Sequence, residues 1–122
     1  MKFRNIAGRG IFGESKVKGK LPMTGKYMAY VGSYSYTGKA KGITVYDVDV
    51  EAGKFIYRCE VEVDNSSYLK ASQNGQILYS IADEGVVAFR VLPNGSLARL
   101  NSANIRGMRG CHLSTSKADD YI

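Results

Sequence analysis

One strand pattern recurs about every 44 residues, and this limits what the chain can fold into more than any other feature. Ser67-Tyr68-Leu69-Lys70-Ala71-Ser72 aligns with Cys111-His112-Leu113-Ser114-Thr115-Ser116, so that Leu69 and Leu113 stand 44 positions apart, as do Ser72 and Ser116. Upstream, Gly42-Ile43-Thr44-Val45-Tyr46-Asp47-Val48 aligns with Gly85-Val86-Val87-Ala88-Phe89-Arg90-Val91 at an offset of 43. A repeat of roughly 40–45 residues built from short strands is the mark of a β-propeller blade, which carries about four strands. One blade cannot bury its own faces, so stability and any central site come from stacking blades.

The rest of the chain reads the same way. From Tyr27 onward, apolar and aromatic residues run in short stretches bounded by turn residues, with no helical period over ten or more positions. Strands are expected over 27–34, 42–50, 55–63, 67–72, 76–82, 85–92 and 96–105. The tight turns between them carry Gly, Asn, Asp and Pro, as in Glu51-Ala52-Gly53-Lys54, Gln73-Asn74-Gly75 and Pro93-Asn94-Gly95. Over 55–63, strict alternation puts Phe55, Tyr57, Cys59, Val61 and Val63 on one face and Ile56, Arg58, Glu60 and Glu62 on the other, as in an outermost strand with one wet face. In contrast, Val86-Val87-Ala88-Phe89 and Ile77-Leu78-Tyr79-Ser80-Ile81 are apolar on both faces and need cover on both sides. The fold class is therefore all-β: about two four-stranded antiparallel propeller blades. Propellers close with roughly 4–8 blades, and 122 residues supply about two and the start of a third. We expect the chain to be the N-terminal part of something longer. The alternative is a complete small all-β protein with two similar hairpin units.

The formal charge of +6 suggests nucleic acid until it is located. Residues 1–26 hold seven Lys and Arg against Glu14 alone, and the remaining residues carry ten basic and ten acidic groups. This stretch is Gly-rich and lacks a period, so it reads as a disordered basic leader, and 27–122 as the blades. RNA binding by the leader through counterion release is a weaker reading. The leader has no continuous apolar run of the secretory kind, and no segment approaches the roughly 18 apolar residues of a membrane span. Cys59 and Cys111 form no CxxC and fit a reducing cytoplasm. Neither a nucleic-acid nor a membrane partner is expected.

Five segments then carry a resemblance. Tyr30-Val31-Gly32-Ser33-Tyr34, Gly42-Ile43-Thr44-Val45-Tyr46, Asn65-Ser66-Ser67-Tyr68-Leu69, Asn74-Gly75-Gln76-Ile77-Leu78-Tyr79 and Gly110-Cys111-His112-Leu113-Ser114 come in the order seen in the lactonase family. Residues 27–122 resemble that family throughout, with Ser66 where it usually has Pro and Asn74 where it often has Asp. The resemblance implies a seven-bladed propeller and the opening of a sugar lactone, 6-phosphogluconolactone to 6-phosphogluconate in the pentose phosphate pathway. The family also includes a lactonising relative, so reaction class does not follow from fold. A fragment of this size would be inactive alone. The rival function is a non-enzymatic propeller scaffold that binds proteins on its rim.

Opening a phosphorylated lactone needs a base for water, positive groups for the oxyanion, and Arg or Lys for the phosphate. His112, the single histidine, is the candidate catalytic base. It is expected at the start of an innermost strand and falls on the family's Cys-His position. Arg106 and Arg109 flank the same connection and are candidates for phosphate or carboxylate. Glu84, beside Asp83, could bind sugar hydroxyls, although an acidic turn is the plainer explanation. Asn65 and Ser67 occupy the position equivalent to the His112 connection in the preceding unit. They could hydrogen-bond substrate or merely cap a strand end. For Tyr34 and Tyr36 in the long first loop, packing is the simpler role. No metal or cofactor is expected: one histidine and two distant cysteines have no zinc spacing, and Gly8-Arg9-Gly10 is no dinucleotide fingerprint. The partners expected are a small sugar lactone and, at the open sheet edges, further blades or a second copy.

Overall fold

Short runs of β-branched and aromatic residues, each closed by a turn signal, produce a strand at each of the seven places expected between residues 27 and 105. The structure is a computed structural model and describes residues 3–7 and 27–122. Its strands are β1 (Phe3–Ala7), β2 (Tyr27–Gly32), β3 (Gly42–Asp49), β4 (Lys54–Glu62), β5 (Leu69–Ala71), β6 (Ile77–Ala82), β7 (Gly85–Val91) and β8 (Leu97–Asn104). They form two four-stranded sheets, ordered β1-β2-β3-β4 and β5-β6-β7-β8, and every pairing is antiparallel. The turns close on their own side chains. Asp49 Oδ1 accepts from Ala52 N at 2.9 Å, Asn74 Oδ1 from Gln76 N at 2.9 Å, and Asn94 Oδ1 from Ser96 N at 2.9 Å. Such bonds are why Asn and Asp mark turns.

The sequence repeat is also a geometric one. A bulge shifts the β3–β4 register between Val45 and Tyr46, and a second shifts β7–β8 between Ala88 and Phe89, the aligned positions. Gly42 and Gly85 are aligned as well. A Cβ at Gly42 would lie 2.3 Å from the Val63 carbonyl oxygen, and one at Gly85 2.0 Å from that of Ala103. Only glycine lets the outer strand approach so closely. The third unit begins on the same pattern. Ser72 N bonds Ile77 O at 2.9 Å and Gly75 N bonds Ser72 O at 3.0 Å; 44 positions on, Ser116 N bonds Tyr121 O and Asp119 N bonds Ser116 O, both at 3.1 Å.

Three details differ from the sequence reading. First, the β4 alternation is broken. Phe55 and Tyr57 face Val48 and Tyr46, but beyond the bulge Cys59 faces Val45, on the opposite side of the sheet. One extra residue, Arg58, turns every later side chain over. Phe55 and Tyr57 are therefore half exposed, their rings 5.8 and 6.3 Å from that of Tyr46, while Cys59 and Val61 pack on the core. Second, the innermost strand expected at 111–116 does not form. That segment has no hydrogen-bonded partner strand among the described residues. Third, Phe3–Ala7, read as leader, pair with β2 from Phe3↔Val31 to Ala7↔Tyr27. Without them β2 would present a row of unpaired backbone groups, which any extended segment can satisfy. The rest of the expected leader lies outside the described residues.

The core sits between the two sheets. Tyr30, Ile43 and Val45 of the first meet Leu69, Leu78, Val87 and Phe89 of the second. Each such side chain contributes roughly 1.5–3 kcal/mol on burial, and neither sheet could supply the cover alone. Two polar contacts fix the docking. The Tyr30 hydroxyl donates to the Gly95 carbonyl at 2.6 Å. Arg58, displaced by the bulge, donates to the Asn94 carbonyl of the same turn and pairs with Asp47 at 3.3 Å.

Candidate functional site

Because successive strands alternate in direction, their connections segregate to two ends. The β3–β4, β5–β6 and β7–β8 turns are at one end. At the other are the β2–β3 loop (33–41), the β4–β5 connection (63–68), the β6–β7 turn (83–84) and the segment that follows β8 (105–112). The β2–β3 loop is seven residues longer than the equivalent turn of the second sheet, 33–41 against 83–84. That extra length carries Tyr34, Ser35 and Tyr36 to the loop end.

Asn65 knits these connections together. It is buried and adopts a left-handed backbone conformation, φ 53°, which Asn tolerates better than most residues. Its Oδ1 accepts from Ser35 N at 2.8 Å and Tyr36 N at 3.1 Å, and its own backbone N donates to Ser35 Oγ at 3.0 Å. Two amides pointing at one atom require that atom to be the oxygen, so the amide orientation follows from the network. Nδ2 then faces Asp83 and donates to Oδ1 and Oδ2, both at 3.0 Å. Asp83 Oδ1 in turn pairs with Arg109 Nη2 at 2.8 Å. The Arg109 guanidinium carbon lies 5.5 Å from the centre of the Tyr34 ring, a cation–π contact, and Tyr34 meets Tyr36 edge to face at 5.8 Å.

Of these groups Tyr34 and Arg109 line a cleft of about 480 Å³, together with Ser67, Tyr68, Met108, Gly110 and Cys111. Two features of the lining are chemical. Arg109 brings a positive fork of which Asp83 occupies one terminal nitrogen. Ser67 brings a hydroxyl oxygen that is buried and makes no hydrogen bond among the described residues. An orphaned buried hydroxyl costs stability unless a ligand or water completes it. His112 is exposed just past the rim, its ring 4.6 Å from the ring of Tyr68.

The expected residues thus separate. Arg109 and Ser67 line the cleft, and the His112 ring packs at a tilt against that of Tyr68, which also lines it. Asn65 stands behind it, with its amide bonded to Asp83 and to the first loop. Arg106 is exposed at φ 54°, its backbone N bonded to Asn104 Oδ1, and it does not line the cleft. Glu84 is exposed and reaches the following segment only through its carbonyl, which accepts from Ile105 N at 3.1 Å. Of the acidic pair it is Asp83 that touches the site. Tyr68 and Tyr34 are lining residues that the sequence reading left out of the site. Their only signal was adjacency, to Ser67 in one case and to the long loop in the other. Ser66, where Pro is usual in the family, is fully buried and shares a 2.7 Å hydrogen bond with Ser80. Among the described residues no three His, Cys, Asp or Glu are grouped to hold a metal ion. No helix there is long and apolar enough to cross a membrane.

Comparison with known proteins agrees with this architecture. Residues 28–122 match the sequence model of a family described as "Lactonase, 7-bladed beta-propeller". A curated 6-phosphogluconolactonase from Formosa agariphila is 30% identical over 101 residues, which cover 76% of this chain and 29% of the relative. The crystal structure of a Bacteroides fragilis protein, provisionally assigned as a 6-phosphogluconolactonase, superposes with a TM-score of 0.65 at 32% identity, covering 74% of this chain and 26% of that one. A Bacteroides uniformis protein with the same provisional assignment gives a TM-score of 0.65 at 24% identity over 72% of this chain and 27% of its own, and supports the fold alone. The chain spans under a third of the length of these relatives.

Proposed function

The chain belongs to the lactonase family of seven-bladed β-propellers, and from that premise we propose that the protein it represents hydrolyses a sugar lactone, 6-phosphogluconolactone to 6-phosphogluconate, in the pentose phosphate pathway. The names of its relatives favour this reading. The observation that carries it is the cleft at the loop end, lined both by a guanidinium held by Asp83 and by a buried hydroxyl that makes no hydrogen bond among the described residues.

The chemistry follows from the groups at hand. Water must attack the ring carbonyl carbon while a base takes its proton. The oxyanion then collapses, the bond from carbonyl carbon to ring oxygen breaks, and the ring oxygen receives a proton as a hydroxyl. In this proposal His112 takes the proton of water and returns one to the ring oxygen. Arg109 holds the phosphate through two N–H groups, as guanidinium forks do. The Ser67 hydroxyl donates to the carbonyl oxygen or a sugar hydroxyl, and Tyr34 and Tyr68 form the walls. The remainder of the pocket would come from further blades, which would also cover the open flanks of the two sheets. Cys59 and Cys111 are both free thiols, in keeping with a cytoplasmic location.

The test is hydrolysis of 6-phosphogluconolactone by the full-length protein, followed by proton release at neutral pH. Turnover well above the spontaneous rate, reduced about 10²–10⁴-fold in His112→Ala, is the expected result. Wild-type protein no faster than the spontaneous reaction would overturn the enzymatic reading in favour of a binding scaffold. Unchanged turnover in His112→Ala would remove the histidine from its role.

A further inference from the structure

We propose that Asp83 and Asn65 are positioning residues that aim Arg109 at the phosphate of a phosphorylated ligand; the inference deepens the lactonase reading and rests on it. From Gly107 to Ser114 the chain forms no strand, and the pair of Arg109 with Asp83 ties this stretch to the β6–β7 turn. The guanidinium meets the Asp83 carboxylate at 2.8 Å and lies 5.5 Å from the centre of the Tyr34 ring.

Asp83 is itself positioned. It sits in a two-residue turn between β6 and β7, and both of its oxygens are held by Asn65 Nδ2. Asn65 is locked in turn by two backbone amides of the first sheet's long loop, Ser35 and Tyr36. The order of dependence runs from loop to Asn65, to Asp83, to Arg109, and crosses from the first sheet to the second. The left-handed backbone of Asn65 fits such a duty, since conformations of this kind persist where the surroundings over-determine them.

As a source of stability the pair would be poor. The Arg109 and Asp83 side chains are 37% and 44% exposed, and exposed pairs contribute roughly 0–1 kcal/mol. Its value is orientation. A carboxylate fixed at one terminal nitrogen turns the remaining N–H groups of the planar fork in one direction, beside the cleft, at little rotamer cost on binding. A phosphate monoester, with three acceptor oxygens, matches that fork. The alternative role for Asp83, partial neutralisation of Arg109, predicts the opposite sign: removing the carboxylate would then strengthen anion binding.

The experiment uses the full-length protein with inorganic phosphate as a probe, titrated by ³¹P NMR, and in parallel the kinetics of phosphorylated and non-phosphorylated gluconolactone. Asp83→Asn keeps the shape and loses the charge; Asn65→Gly keeps the left-handed backbone accessible and loses the amide. Each variant is expected to weaken phosphate binding about tenfold, the scale of one lost charge-assisted hydrogen bond. KM for the phosphorylated lactone should rise by a similar factor, with kcat within about twofold and the non-phosphorylated lactone unaffected. In an Arg109→Lys background, which lacks the fork, Asp83→Asn should add nothing. Tighter or unchanged phosphate binding in Asp83→Asn overturns the proposal. So does equal loss with both lactones, which would mark a merely structural staple. The phosphate titration needs no turnover, so a wild-type protein that binds phosphate but opens no lactone would sink the lactonase reading and leave the relay standing.

Discussion

Replacing Tyr30 by Phe removes one oxygen atom and tests whether the two sheets meet as described. The ring is fully buried in the core, and its hydroxyl donates at 2.6 Å to the carbonyl of Gly95, 65 positions away in the other sheet. Phe fills the same space, so no cavity forms. The Gly95 carbonyl, however, is left buried without a donor, and such an orphan costs about 1–3 kcal/mol. The same burial pushes the hydroxyl pKa from 10.0 up to about 12, with nearby Arg58 pulling it partly back. The unfolded chain releases this proton near pH 10 and the native protein holds it further, so between these values the unfolded state binds fewer protons. Stability from this group is complete below pH 10 and falls as pH rises towards 12, by roughly 2–3 kcal/mol in all. Urea unfolding followed by circular dichroism from pH 8 to 11.5 reads both effects. Tyr30→Phe should be less stable at pH 8, and its deficit should shrink as pH rises, because only the wild type carries this titration. Equal stability at pH 8, or two curves that remain parallel above pH 10, would refute the contact.

Two further substitutions probe the same frame. Gly95→Ala places a Cβ 2.7 Å from Met28 side-chain atoms at φ 84°, and should destabilise by about 1–3 kcal/mol, seen as a lower urea midpoint with an unchanged slope. Ser66→Ala leaves Ser80 without its 2.7 Å side-chain partner in a fully buried site; a loss of about 1 kcal/mol is expected, and a double variant with Ser80→Ala should cost less than the sum of the single changes.

How much of this was legible in the sequence depends on the range of each interaction. Strand positions were, because two-residue periodicity and turn residues such as Asn74-Gly75 and Asn94-Gly95 are local signals. The repeat was too, and it extends to aligned bulges and to the turn at 116–121. The bulges themselves were not. Nothing in Tyr57-Arg58-Cys59 announces an extra residue, so the faces of β4 were assigned by strict alternation and changed sides halfway. The strand expected at 111–116 failed because a strand is a property of a pair, and local pattern does not supply the partner. The site was legible only in its separate members. Ser67, Arg109 and His112 stood out by residue type and by family resemblance. The relay was hidden, because Asn65 and Asp83 are 18 positions apart and Arg109 reaches Asp83 from the far side of two strands. Glu84 and Asp83 were indistinguishable as neighbours in an acidic turn; only the Asn65 amide decides between them.

The most direct measurement is the crystal structure of the full-length protein with 6-phosphogluconate bound. The account places the product phosphate within hydrogen-bonding distance of Arg109, with the guanidinium still paired to Asp83 and the Ser67 hydroxyl bonded to the ligand. Product bound elsewhere, with the cleft between Tyr34 and Tyr68 holding only water, would contradict it.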